Sequence, residues 1–471
     1  MTLIRSISGI RGTIGGKPGE GLSPQDVIKY ASAYSAWLKQ KNTQSNGKAQ
    51  RLKVVIGRDA RVSGEMVNHL ITGTLLGMGI DVVDIGLSTT PTVEMAVPME
   101  KAHGGIILTA SHNPKQWNAL KLLNGKGEFI SAADGESLLK IAEKNEYEYA
   151  HIDFLGKYTQ MDGYIDKHIE KIVKLPLVNV AAIKAAKLKI VIDCVNSTGG
   201  IALPKLLKAL GVTNVVELYC EPTGLFPHNP EPLPEHLYTI SNEVKKTNAH
   251  LGIVVDPDVD RLALVQEDGE MFGEEYTLVA VADYILQNTK GNTVSNLSST
   301  RALRDVTEKY GCTYAASAVG EVNVVEKMKE LNAVIGGEGN GGIIYPELHY
   351  GRDAMVGIAL FLTHLAKFGK SCSKLRSQYP AYYISKNKIE LTPDVDLDGV
   401  LKSIKNRYKK QPINTVDGIK IEFEKEWVHL RKSNTEPIIR IYAESDSISK
   451  ANHLATKMIT DIKELMNETV G

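Results

Sequence analysis

The chain has 471 residues, 43% of them hydrophobic and 23% charged, and its 55 basic and 55 acidic residues leave no formal net charge. That length suits two to four domains with large apolar cores. A neutral balance excludes an overall attraction to nucleic acid or to a membrane surface, so an anionic ligand must be held by a local cluster of basic residues.

The N-terminal stretch MTLIRSISGIRGTIGG holds no apolar run of signal-peptide length, and no run of eighteen apolar residues follows anywhere. Arg11 lies between Gly9 and Gly12 with no apolar pattern nearby; the segment is either disordered or presents Arg11 to an anion. Three later segments share one grammar. They begin at Leu52 (LKVVIGRDARVSGEM), Leu188 (LKIVIDCVNSTGGIAL) and Gly291 (GNTVSNLSSTRALRD). Each opens with a short β-branched run, passes through a polar loop into a helical pattern, and reaches a second apolar run after glycine. That is a βαβ unit, and three copies predict three related α/β domains.

Between the first two units stands GGIILTASHNPKQWNALKLL. The strand-like IILTA ends at Ser111, and Asn113-Pro114 turns the chain. A serine at the carboxyl end of such a strand sits where α/β folds place ligands, but a bare hydroxyl needs a base or a charge partner. His112 is its immediate neighbour, a spacing unsuited to nucleophile–base geometry, and no GxSxG elbow is present. Lys121 is positioned to supply positive charge or a proton. On local evidence alone TASHNP reads as a polar turn.

After the second unit comes HLGIVVDPDVDRLALVQEDG, with Asp256, Asp258 and Asp260 at alternate positions. In extended chain these share a face. Three carboxylates with no Cys or His partner point to a hard cation, Mg2+ or Ca2+. An EF-hand fails, because Arg261 stands where its glycine belongs and the flanks read as strands. Next, LNAVIGGEGNGGIIYP places Glu338 and Asn340 among glycines, either a flexible turn or a backbone open to a ligand's hydroxyls.

The C-terminal part alternates like antiparallel strands in DGIKIEFE, EWVHLRKS and IIRIYAES. A helix follows whose apolar stripe runs through Ile448, Ala451, Leu454, Ala455, Met458, Ile462 and Leu465. The turn RKSNTEPIIR carries Arg431, Ser433, Asn434, Thr435 and Arg440, a donor set that suits a phosphate dianion and equally a surface hairpin. Domains are expected at 1–156, 157–265, 266–382 and 383–471. Four scattered cysteines, Cys194, Cys220, Cys312 and Cys372, form no CxxC pair; they exclude a disulfide framework or zinc site and fit a cytoplasmic protein.

In this order, the serine, acidic, glycine and arginine loops resemble those of the α-D-phosphohexomutase family across essentially the whole chain. The resemblance implies three related α/β domains with mixed sheets and a C-terminal α+β domain like the TATA-binding protein, around a central cleft. It implies a phosphorylated Ser111, with Asp256, Asp258 and Asp260 and a serine phosphate oxygen as ligands of Mg2+. Glu338, with Asn340 beside it, would bind sugar hydroxyls, and Arg431, Ser433, Asn434, Thr435 and Arg440 the non-transferred phosphate. Lys121 would assist proton transfer, and Arg11 and Arg261 would lie near the reacting phosphate.

The chain departs from that pattern at DPDVDR, where DGDGDR or DPDGDR is usual, and at GEGNGG, where GEQSGH or GEMSGH is usual. Gly342 thus replaces a histidine, for which His349 is one possible substitute. These variants resemble a prokaryotic subgroup labelled phosphoglucosamine mutase, with phosphomannomutase/phosphoglucomutase as the alternative. The implied partner is a hexose or amino-sugar phosphate, handled by a monomer or homodimer, with no nucleic acid and no membrane. A non-catalytic phosphosugar-binding protein and a metal-dependent phosphatase are the readings outside that class.

Overall fold

The computed structural model describes residues 2–6, 9–46, 51–391, 397–432 and 438–470. They form two compact units, one of residues 1–277 with 340–375 and the other of 278–339 with 376–471.

The first unit begins with a seven-stranded sheet built from β1 (Ile4–Ser6), β2 (Gly9–Thr13), β3 (Lys53–Arg58), β4 (Asp81–Leu87), β5 (Gly104–Leu108), β6 (Trp117–Asn124) and β7 (Tyr158–Gln160), in the order β1-β2-β6-β5-β3-β4-β7. The β3–helix–β4 segment is the expected βαβ unit: β3 pairs in parallel with both β4 and β5. Val54, Val55, Ile56, Ile106, Ile107 and Leu108 are wholly buried, as strands covered on both faces require. Gly9–Thr13, the part that carries Arg11, is a strand. This β2 pairs antiparallel with β6, setting Arg11 opposite Ala119. Backbone pairing, not apolar patterning, makes it a strand.

The same unit contains a four-stranded sheet of β8 (Lys189–Asp193), β9 (Asn214–Leu218), β10 (Leu251–Val255) and β11 (Leu262–Gln266), ordered β11-β10-β8-β9. Parallel β9-β8-β10 is again the βαβ core, and β11 returns antiparallel on β10. Strand β15 (Gly342–Ile344) and the buried helix Ala354–Phe368 complete the unit.

In the second unit, β12 (Thr293–Asn296) pairs in parallel with β13 (Tyr314–Ser317) and with β14 (Ile335–Glu338), the third βαβ segment. The C-terminal sheet is antiparallel, ordered β16-β20-β19-β18-β17, from β16 (Tyr383–Glu390), β17 (Ile413–Asn414), β18 (Ile419–Glu422), β19 (Trp427–Lys432) and β20 (Ile438–Ser445). Helices Leu397–Arg407 and Ile448–Val470 cover one face, burying Val400, Ile404, Ala451, Ala455, Met458 and Ile462 against Ile421, Leu430 and Ile441. Ile448 departs from the expected stripe: it opens the helix and is 51% exposed. No helix among the described residues is long and apolar enough to cross a membrane.

Candidate active site

Ser111 follows the end of β5 with φ 47°, a left-handed conformation that turns the chain sharply away from the sheet. Its amide donates to Thr109 Oγ1 at 2.9 Å, and that hydroxyl donates to Asp59 Oδ2 at 2.7 Å. Arg61 organises the turn. Its Nε donates to Asp59 Oδ2 at 2.9 Å, while its two Nη groups reach the carbonyls of Ser111, Asn113 (2.7 Å), Pro114 (2.9 Å) and Trp117 (3.1 Å). Arg61 and Asp59 are both buried. Sequence reasoning passed over them. The available signal was an Asp-x-Arg pair directly after the buried strand β3.

The acidic loop occupies residues 256–261 between β10 and β11. It is a turn, not the extended chain expected from the alternation. Val259 N donates to Asp256 O at 3.1 Å, and Val259 has φ 62°. The tight turn, with Asp256 Oδ1 accepting from the amides of Asp260 and Arg261 at 3.1 Å each, is what converges the carboxylates. All three aspartates are fully buried, and one ligand atom from each lies within 4.8 Å of the others.

Serine and acidic loops meet directly. Ser111 Oγ donates to Asp256 Oδ2 at 2.7 Å. His112 Nδ1 is 3.4 Å from that Oγ, and burial together with Arg261 holds its ring well below the ordinary histidine range. The neighbouring histidine is therefore a poor partner next to the aspartate. Lys121, on β6 opposite Ile107, donates to Asp258 Oδ2 at 2.6 Å and to Asp260 Oδ2 at 3.2 Å. Burial alone would discharge it, but Asp258 and Asp260 override that and hold its ammonium above the usual value. Thr90 Oγ1 donates to Asp258 Oδ2 at 2.6 Å. Arg261 donates to Glu231 Oε1 at 3.4 Å, and burial, then repulsion from Arg261 and Arg352, holds Arg11 below its ordinary pKa.

These residues fit a divalent cation. Burial, then repulsion from Asp258 and Asp260, holds the Asp256 carboxyl well above the carboxylate range. Asp258 Oδ1 and Asp260 Oδ1 are buried without a hydrogen-bond partner among the described residues. Three hard carboxylate donors, two of them with an orphaned oxygen, are the set that Mg2+ or Ca2+ takes, and a cation between them relieves their repulsion.

His349 is engaged elsewhere. Its Nδ1 lies 3.4 Å from Glu94 Oε2 and its Nε2 lies 3.3 Å from Asp353 Oδ2, which also takes His168 Nε2 at 2.9 Å. The sugar-loop neighbour that touches the acidic triad is Arg352, through Asp260 Oδ2 at 2.8 Å. Asn340 Oδ1 accepts from Gly342 N at 3.2 Å, closing its own loop.

In the second unit, Glu338 is buried at the end of β14. Its Oε1 accepts from Asn296 Nδ2 at 2.9 Å and from Gly320 N at 3.1 Å. Arg431 lies 3.5 Å from Asp417 Oδ2. The register sets Lys388, Arg440 and Arg431 directly opposite one another across β16, β20 and β19. Like charges facing one another across strands are unfavourable without an anion. Lys388 was not legible as a site residue, because its relation to the arginines exists only in the sheet. Ser433, Asn434 and Thr435 lie outside the described residues.

The chain is a phosphohexomutase, an intramolecular phosphotransferase of the isomerase class whose substrate is a sugar phosphate. It belongs to the phosphoglucomutase/phosphomannomutase family: the alpha/beta/alpha domains I, II and III match residues 3–149, 164–269 and 273–383, and the C-terminal domain matches 390–460. A phosphoglucomutase/phosphomannomutase from Thermococcus kodakarensis is 34% identical over 446 residues, 93% of this chain and 95% of that one. A probable phosphoglucosamine mutase from Methanopyrus kandleri is 30% identical over 465 residues, 98% of each chain. A phosphoglucomutase/phosphomannomutase family protein of Burkholderia thailandensis, solved by crystallography, superposes with a TM-score of 0.83 at 25% identity over 98% of each chain. The four-domain α/β fold follows, and the acidic triad fits the metal ion that this family uses.

Proposed function

We propose that the protein is a phosphoglucosamine mutase. It interconverts glucosamine 6-phosphate and glucosamine 1-phosphate through a phosphoserine at Ser111 and a bisphosphorylated sugar, in the cytoplasm, and so feeds amino-sugar nucleotide synthesis. The observation that carries the phosphoserine is the 2.7 Å bond from Ser111 Oγ to Asp256, which sets that hydroxyl against the acidic triad. The division at 1–156, 157–265, 266–382 and 383–471 belongs to the same reading and is supported by one functional loop in each part.

In the first half-reaction a sugar hydroxyl oxygen bonds to phosphorus as the Ser111 Oγ–phosphorus bond breaks. The return transfer takes the other phosphate back to Ser111. Lys121 Nζ, kept charged by Asp258 and Asp260, is placed to carry the proton exchanged between the two oxygens. Arg11 and Arg261 hold the moving group's charge, while Asp256, Asp258, Asp260 and a serine phosphate oxygen would hold Mg2+. When bound, Mg2+ supplies neutralisation of the charge that shifts between phosphoryl oxygens. Glu338 and Asn340 take sugar hydroxyls in both orientations. Arg431, Ser433, Asn434, Thr435 and Arg440 grip the phosphate that stays, and the cation row through Lys388 supports that reading.

The test is side-by-side kinetics on glucosamine, glucose and mannose phosphates. A preference for glucose and mannose phosphates would favour the second reading, phosphomannomutase/phosphoglucomutase, the name its Thermococcus relative carries. Near-normal turnover by Ser111→Ala would reject the phosphoserine.

A further inference from the structure

The glycine-rich loop and the acidic loop communicate through one residue that neither motif contains. Gly342 has no side chain, and a Cβ there would lie 2.4 Å from Arg352 Cδ and 3.1 Å from its Cγ. The stem of Arg352 therefore occupies the volume that a side chain at 342 would take. Its backbone is fixed on both sides. Ile344 and Arg352 form an isolated bridge, and Asp353 N donates to Ile343 O at 2.8 Å. Asp353 also caps helix Ala354–Phe368 through Met355 N and Val356 N, and its other oxygen takes His168. Gly351 lies so close to Glu94 that a Cβ would meet its carboxylate at 1.9 Å. The turn at 349–353 is thus built to hold Arg352 in one place.

From that turn the guanidinium reaches Asp260 Oδ2 at 2.8 Å, buried and beside Arg11 and His112. Four side-chain cations, Lys121, Arg11, Arg261 and Arg352, gather there with four carboxylates, the three loop aspartates and Glu231. With all four carboxylates ionised, as a bound cation would leave them, the set by itself is balanced. A divalent cation on the aspartates leaves two positive charges over, and a buried excess of that size calls for a dianion.

We propose that Arg352 is a phosphate-binding residue of this site, standing in for a side chain at position 342, and that its ligand is a phosphate monoester dianion. The inference rests on the phosphohexomutase reading for its setting, but the binding it describes is measurable without turnover. Once a cation takes Asp260, the Arg352 Nη2 that donates to it can turn to phosphate oxygens, which the planar donors of arginine match.

The experiment uses full-length protein in the Ser111→Ala background with saturating Mg2+. Calorimetric titration is done with inorganic phosphate and with glucosamine 6-phosphate. Arg352→Ala should weaken binding about tenfold to a hundredfold, and Arg352→Lys should lose less. Weakening with both ligands marks the phosphoryl position beside Ser111, and weakening with the sugar phosphate alone marks the substrate's own phosphate. In the Ser111 enzyme, the same change should raise KM more than it lowers kcat. Mg2+ affinity should hold or rise, because a cation competing for Asp260 is gone. A merely structural Arg352 predicts the opposite, weaker Mg2+ binding and a lower Tm with phosphate affinity intact, and that result overturns the proposal. So does unchanged affinity for both ligands. Gly342→His alone should lower Tm by driving into the Arg352 stem. Adding Arg352→Ala should restore Tm and part of the phosphate affinity, and a double variant no better than Gly342→His refutes the shared volume. If the wild type turns over no hexose phosphate, the proposed function fails, while the inorganic phosphate titration still decides Arg352.

Discussion

Ser111 and Asp256 stand 145 positions apart in the chain and 2.7 Å apart in space, the hydroxyl donating to the carboxylate. That bond brings the serine to the triad, and on the proposed function it makes Asp256 the residue that couples nucleophile and cation. Asp256 is also the most frustrated member of the triad, buried and repelled by its neighbours. Asp256→Asn keeps an oxygen to accept from Ser111 and removes a charge. Metal-free Tm should stay level or rise, whereas the Tm increase that Mg2+ gives the wild type should disappear, along with turnover. Thermal unfolding with and without chelator checks this; a full Mg2+ response in the variant would contradict the triad's role.

Arg61 spends its donors on Asp59 and on four carbonyls of the serine turn. Arg61→Met leaves the Asp59 carboxylate buried without its cation and those carbonyls without donors. Breaking a buried pair this way costs about 3–5 kcal/mol. Urea unfolding should show that loss. Arg61→Lys, which retains the charge without the fork, should recover part of the stability while kcat stays low because the turn at Ser111 loosens.

Val259 is β-branched at φ 62° in the middle of the acidic loop, a position where the side chain is strained. Relief of that strain in Val259→Gly is worth about 1–2 kcal/mol, against roughly 2 kcal/mol of lost burial. With the roughly 0.5–1 kcal/mol entropy cost of glycine added, the change should cost about 1 kcal/mol. Val254→Gly, in ordinary strand conformation on β10, loses burial with no relief and should cost about 3 kcal/mol. Equal losses at the two sites would show that Val259 stores no strain.

His429 lies buried in the C-terminal sheet, its Nδ1 2.9 Å from Ser298 Oγ and its Nε2 2.6 Å from Asp417 O. Burial pushes its ring down to about 4 from an ordinary 6.5. The folded state therefore binds fewer protons than the unfolded chain between those values. Its contribution to stability is complete above pH 6.5 and is lost as the pH falls toward 4, with a limit on the order of 3 kcal/mol. Tm measured from pH 7.5 to 4.5 should fall less steeply in His429→Gln than in the wild type.

The parts of the site legible from sequence are those whose residues are close along the chain. Asp256, Asp258 and Asp260 declare a cation because three carboxylates between apolar strands have no cheaper explanation. The three βαβ segments are legible because each opens on a largely buried strand, β3, β8 or β12, the first two reading as apolar runs. Thr90, Glu231, Lys388 and Arg352 were not legible, since each acquires its role only from an element far away in sequence, whereas Arg61 left a signal in its Asp-x-Arg pair with Asp59. The strand at Gly9–Thr13 was missed for a related reason: its stability comes from the partner strand β6, which leaves no trace in its own composition.

By itself the sequence determined the fold class and the family resemblance, because short-range patterning and motif order encode those directly. Tertiary structure decided how the charges balance. It set Ser111 on Asp256, Lys121 on Asp258 and Asp260, and the stem of Arg352 in the space above Gly342. Those relations depend on distance in space, through Coulomb interactions and excluded volume, and no spacing along the chain expresses them.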